Sequence, residues 1–246
     1  MTRALAGPSL RGRLRTFTTA RVSLGRVGSG LPTSALLEFQ LAHARARDAV
    51  HASLDEDEVR AALDGQTVVS VASQADDRLT YLMRPDLGRS LRLDHRERLA
   101  ENRSQLAIVL ADGLSATAVQ AHGPALAKAL ISRATGWEIG PIVIARQARV
   151  ALGDDIGEAL AADLVVVLIG ERPGLSAADS LGAYLTWKPA PGRLDSERDC
   201  VSNIRPPYGL GIDDAADEII RLANRARLLG GAGVAMAAGG RSLAKD

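Results

Sequence analysis

Residues 164–169 read Leu-Val-Val-Val-Leu-Ile, six apolar side chains with no polar break. A run this short, rich in β-branched residues and lacking alternation, suits a strand buried on both faces. Such a strand needs a layer of structure on each side of its sheet. The run then meets Gly170-Glu171-Arg172-Pro173-Gly174. A carboxylate and a guanidinium at the mouth of a buried strand mark either the chain's exit from the core or a place where something is held.

The surrounding pattern repeats the theme. From Gln105 onward, apolar runs alternate with helical stretches. Residues 106–112 predict a strand, 113–136 a loop and helix, 139–150 a second strand, 154–162 a short helix and 163–171 the third strand. Residues 176–189 read as a helix running into a fourth strand. Residues 213–231 form an amphipathic helix, with Ile219, Leu222, Ala226 and Leu229 on one face and Gly230 ending it. This order predicts an α/β fold with a mostly parallel sheet and helices on both faces.

A smaller, mainly helical region precedes it. Thr33 or Ser34 is positioned to cap a helix running to about Ala52, with Leu37, Leu41 and Ala44 at helical spacing. Residues 54–65 predict a second helix, 67–73 an exposed strand, and 79–91 a strand followed by a Pro-Asp-Leu-Gly break. The organisation expected is therefore a basic arm at 1–30, a helical region at 31–104 and the sheet domain at 105–246.

Composition limits the function. The chain is 46% hydrophobic but only 3% aromatic, so its core must rest on Ala, Val, Leu and Ile. A formal net charge of +1 gives no overall basic field, and no nucleic-acid partner is expected. One cysteine excludes an internal disulfide and suits a reducing compartment. With four scattered histidines (His43, His51, His95 and His122) it makes no structural zinc site. No apolar run reaches the ~18 residues of a membrane span. Residues 1–30 carry Arg3, Arg11, Arg13, Arg15, Arg21 and Arg26 with no acid, which fits a transit peptide, a partner-facing arm or a solvated end.

Ligands of open α/β sheets sit beyond the carboxyl ends of the strands. Three such ends are distinctive: Asp112-Gly113-Leu114-Ser115, Arg146-Gln147-Ala148-Arg149-Val150, and Gly170 to Gly174. Ordinary polar loops, with Asp112 and Arg146 as plain loop residues, are the alternative. No dinucleotide fingerprint is present: 209–214 and 230–233 lack the third glycine and the preceding strand. No Walker A sequence occurs. Cys200, without a histidine nearby in sequence, reads as a small buried hydrophobe before it reads as a nucleophile.

Six stretches, in order, carry a likeness to a known family: ARVSLGRVGSGLPTSALLEFQLAHARARDAV, YLMRPDLGRSL, VLADGLSATAV, ARVALGDDIGE, VVLIGERPGLSAADSLGAYL and CVSNIRPPYG. Over roughly residues 13–236 the chain resembles the small (light) subunit of ethanolamine ammonia-lyase. The resemblance implies a Rossmann-like core and an enzyme that converts ethanolamine to acetaldehyde and ammonia with adenosylcobalamin, a cobalt-containing corrinoid. It implies a large-subunit partner in a hetero-oligomer, which binds most of the ethanolamine. The cofactor-contacting positions it implies are Val150, Glu171 and Cys200, with no catalytic residue and no metal ligand from this chain. A cytoplasmic setting follows, with packing in a bacterial microcompartment left open. Because the likeness begins near Arg13, inside the basic run, a partner-facing arm is the expected role of residues 1–30.

Many cobalamin proteins place a histidine on cobalt through Asp-X-His-X-X-Gly. None of the four histidines fits, since His95 follows Asp94 directly; a cofactor keeping its own base is compatible. The chain departs from the family's usual residues at Gln147-Ala148, Asp199 and Arg205. Two rivals stand beside this reading: a corrinoid-binding or scaffolding protein without lyase activity, and a self-sufficient hydrolase or transferase built on Cys200.

Overall fold

The computed structural model describes residues 13–14, 17–18, 20–22, 24–100 and 102–234. Much of the basic arm expected at 1–30, and residues 235–246 of the sheet domain, lie outside them. In chain order the elements are α1 (Thr33–His51), α2 (Glu56–Ala62), β1 (Val68–Ala72), α3 (Arg78–Met83) and α4 (Leu93–Ala100). They continue with β2 (Leu106–Ala111), α5 (Ala116–Arg133), β3 (Ile142–Arg146), α6 (Leu152–Ala159) and β4 (Leu164–Gly170). The last are β5 (Leu181–Trp187), β6 (Arg198–Ile204) and α7 (Ile212–Leu229).

All seven residues of β4 are buried, as the apolar run requires. Alternate side chains feed two cores. Leu164, Val166 and Leu168 pack with α5 and α7, through Leu126, Leu130, Ile219 and Leu222. Val165, Val167 and Ile169 pack on the other face with Leu99, Leu152 and Ile156 of α4 and α6. Each such side chain contributes about 1.5–3 kcal/mol when fully buried.

The six strands lie in the order β1-β3-β2-β4-β5-β6. The first four are parallel, and β5 and β6 extend the sheet antiparallel. The reversal at β5 has a simple cause. Residues 171–180 return directly from β4, and a parallel crossover needs about a dozen residues or more, usually a helix. This changes one expectation: no helix precedes the fourth strand within 176–189, because Gly174 and Ala177 instead close a tight turn through paired backbone bonds of 2.9 and 3.3 Å.

The structure corrects three other expectations. Residues 79–83 are helical, because Asp77 caps α3 by accepting from the Thr80 amide at 2.7 Å, overriding the strand-prone Tyr-Leu composition. Helix α1 begins after Pro32 with no side-chain cap from Thr33 or Ser34. Its Leu37 and Leu41 are exposed, and only Ala35 and Ala49 are buried. Strand β6 and helix α4 were not anticipated.

The crevice between the carboxyl ends of β2 and β4 is closed by the chain itself. A Cβ on Gly113 would lie 2.4 Å from the Gly170 carbonyl oxygen, and one on Gly170 would lie 2.0 Å from that of Ser115. The Leu114 amide donates to the Gly170 carbonyl at 3.0 Å across this seam. Gly170→Ala is therefore expected to destabilise the fold by about 2–3 kcal/mol through overpacking against backbone. Gly174→Ala, whose Cβ would meet nothing closer than 3.8 Å, is expected to cost under ~0.5 kcal/mol. Denaturant titration of both variants checks the contrast, and equal losses would contradict it.

Candidate functional site

Strand ends and helix placement decide where a ligand has room. Asp112, at the end of β2, is committed to structure. Its carboxylate is buried and accepts from the backbone amides of Gln147 at 2.8 Å and Ala148 at 2.9 Å. Burial raises its pKa, against the pull of those amides and of Arg78 at 3.9 Å. Arg146 is exposed and lies 3.9 Å from Glu56. Asp112 thus serves the fold, and Arg146 is the last residue of β3, not a loop residue.

One cavity lies a strand further along. On the face covered by α4 and α6, β5 and β6 carry no described helix; α7 covers them from the opposite side. Tyr184 of β5 and Cys200 of β6 are register partners on this open face. They line a cavity of about 490 Å³ together with Pro85, Arg89, Arg149, Val150, Ala151, Asp195 and Arg198. Val150 enters from the turn into α6. Two of the three expected contact residues, Val150 and Cys200, thus share one cavity.

Glu171 borders it. Its backbone amide donates to the Ser180 carbonyl at 2.9 Å, and its Oε2 accepts from the Ser180 hydroxyl at 2.6 Å. Its side chain crosses β5 at Gly182, where an added Cβ would sit 3.0 Å from Glu171 Oε1 and 3.2 Å from the Tyr184 ring. Glycine there keeps the strand face low enough for carboxylate and ring to lie side by side.

The floor is braced at its side. Arg198 of β6 grips Asp154 of α6 with two bonds of 2.7 Å and donates to Thr186 at 2.6 Å. Both side chains of the pair are almost wholly buried, at 2% and 1% exposure. The pair fixes the β6 edge, and so Cys200, relative to the helix that follows Val150. It joins residues 44 positions apart, so only the folded chain reveals it; the same is true of Tyr184 and Arg89 as cavity residues.

Two departures from the family's usual residues point elsewhere. Asp199 faces away from the cavity and pairs with Arg225 of α7 at 2.8 Å. Arg205 pairs with Asp179 and lies 5.2 Å over the Tyr208 ring. His95 does local work too, accepting from the Ala72 amide at 2.8 Å at the end of β1. Among the described residues, no group of three His, Cys, Asp or Glu could hold a metal ion, and no helix is long and apolar enough to cross a membrane.

Cys200 is exposed, which corrects the expectation of a small buried hydrophobe. Edge position explains it: β6 has a neighbour on one side only, and its open face has no helix. Even so, partial burial pushes the thiol's pKa up and Glu171 adds to the rise, against a hydrogen bond with Tyr184. Tyr184 is itself pushed up to about 12 by burial. The thiolate is the reactive form, so Cys200 is a protonated, sluggish thiol at neutral pH. Alkylation of this single cysteine by iodoacetamide should still accelerate with pH above ~8.5, the ordinary thiol value. A rate that levels off below that pH would contradict the assignment.

Comparison with known proteins identifies the family. Residues 10–237 match the family model described as Ethanolamine ammonia-lyase light chain (EutC). An ethanolamine ammonia-lyase small subunit from Bradyrhizobium diazoefficiens is 55% identical over 214 residues, covering 84% of this chain and 82% of the relative. Those from Rhodopseudomonas palustris and Rhodococcus erythropolis are 52% and 47% identical, covering 88% and 91% of this chain and 87% and 88% of the relatives. With both the family model and these relatives spanning most of its length, the chain belongs to the ethanolamine ammonia-lyase light-chain family and is a subunit of a carbon–nitrogen lyase.

Proposed function

We propose that this chain seats one side of adenosylcobalamin against a large subunit that binds ethanolamine, in the conversion of ethanolamine to acetaldehyde and ammonia. One observation carries the reading: the helix-free face of β5 and β6, where Val150 and Cys200 share a half-open cavity and Glu171 stands at its border. A corrinoid is a broad ring fringed with amides and far larger than this cavity, so only one edge of it enters. The remainder requires a second protein surface. Exposed Leu36, Leu37, Phe39 and Leu41 on α1 supply apolar area of the kind that partners cover.

The residues suit such an edge. Val150 and the Tyr184 ring offer apolar contact. Glu171, oriented by Ser180, accepts hydrogen bonds from amide N–H groups. Cys200, protonated, adds a small soft surface. The bound cofactor would supply radical chemistry through its cobalt–carbon bond. This chain's part is to orient the ring and exclude water. A hydrolase centred on Cys200 is disfavoured by the raised thiol pKa and by the lack of any histidine among the cavity residues.

The test uses the two-subunit complex. Glu171→Gln removes a charge-assisted acceptor and should weaken cofactor affinity about ten- to a hundredfold. Apparent affinity for ethanolamine at saturating cofactor should stay constant, and the melting temperature should barely move. Unchanged cofactor affinity would remove Glu171 from the site. Turnover of ethanolamine by the isolated chain with cofactor would overturn the division of labour, and a complex that binds no corrinoid would overturn the reading.

A further inference from the structure

We infer that Arg149 and Arg89 form an anion subsite for the phosphodiester in the nucleotide tail of the cofactor. The inference rests on the cofactor reading above.

Arg149 is held on three sides. Its amide donates to the Gly88 carbonyl at 2.8 Å, and one terminal nitrogen donates to the Tyr81 carbonyl at 3.2 Å. Its guanidinium lies 4.2 Å from the Tyr81 ring centre. Its stem is so close to Gly88 that a Cβ there would lie 3.0 Å from it. Tyr81 is fixed in turn, since its hydroxyl donates to the Ala148 carbonyl at 3.1 Å. A planar cation is thus locked in place before any ligand arrives.

Its donors are nonetheless incompletely used. Arg149 Nε is buried with no hydrogen-bond partner. Neither Arg149 nor Arg89 has a carboxylate partner within ion-pair distance among the described residues, whereas Arg198 of the same cavity pairs with both Asp154 and Asp195. Arg89 is exposed and follows Gly88 directly, and both arginines line the cavity together with Asp195. Arginine's fork matches phosphate oxygens, and stacking on an aromatic ring pre-organises it. Tyr184 and Cys200, which line the same cavity, suit the uncharged ring edge. The cavity thus combines apolar contacts with two cations that lack a carboxylate partner among the described residues, which suits a ligand with an apolar body and one anionic tail.

The experiment measures equilibrium binding of cobalamin and of cobinamide, which lacks the phosphodiester tail, to the assembled two-subunit complex. Variants are Arg89→Gln, whose exposed position leaves the fold intact, and Arg149→Gln, with Arg149→Lys retaining charge. The double Gln variant should lose about tenfold or more in cobalamin affinity. It should bind cobinamide as wild type does, and cobalamin binding should become less sensitive to salt. If cobinamide binds too weakly to measure, the salt dependence decides. Equal weakening of both corrinoids, or an unaltered salt dependence, would overturn the subsite while leaving the cofactor reading intact. Impaired subunit assembly with unchanged cobalamin affinity in the complexes that form would assign the arginines to the partner's acids and likewise overturn it. Absence of cobalamin binding to the wild-type complex would instead defeat the parent reading.

Discussion

The close approach of backbone at Gly113 and Gly170 closes the crevice in which an open α/β sheet usually holds its ligand. An open α/β sheet offers its ligand crevice where neighbouring parallel strands send their connections in opposite directions. That crevice lies between β2 and β4, and here the chain fills it with its own carbonyls and amides. Asp112 reinforces the closure by tying the turn after β3 back to β2. The cavity that Val150 and Cys200 line lies instead on the antiparallel extension, where the short return after β4 leaves one face of β5 and β6 without a described helix.

That displacement creates a mechanical problem, because an edge strand is held by one neighbour only. The buried Arg198–Asp154 pair answers it by clamping β6 to α6 beside the cavity. Such a pair is a poor source of net stability, since desolvating two charges offsets much of their attraction. Its value is geometric: two parallel bonds and a third to Thr186 allow little play between Cys200 and Val150. Groups of different character line the cavity, the Tyr184 ring and the Cys200 thiol on the strands and the stacked Arg149 with Arg89 beside them.

The sequence disclosed the parts that depend on local chemistry. Strand β4 was legible because an unbroken apolar run has few other uses, and α7 because its apolar residues fall on one helical face. Strand β6 was not: Asp199, Ser202 and Asn203 interrupt it, and its open face needs no apolar residue. Residues 79–83 looked strand-like until the Asp77 cap was seen to act. Val150, Glu171 and Cys200 could be named together only through the family likeness, since nothing local joins residues on two separate connections and an edge strand of the sheet. Tyr184, Arg198 and the closed crevice are products of register and packing, and register is set by contacts remote in sequence.

The most direct measurement is a structure of the two-subunit complex with cobalamin bound. The account predicts corrinoid density lying on the open face of β5 and β6, within the ~4 Å of van der Waals contact from Val150 and Cys200, with Glu171 hydrogen-bonded at the ring's edge. Density for the ring elsewhere on this chain, or held wholly by the large subunit with that face empty, would contradict it.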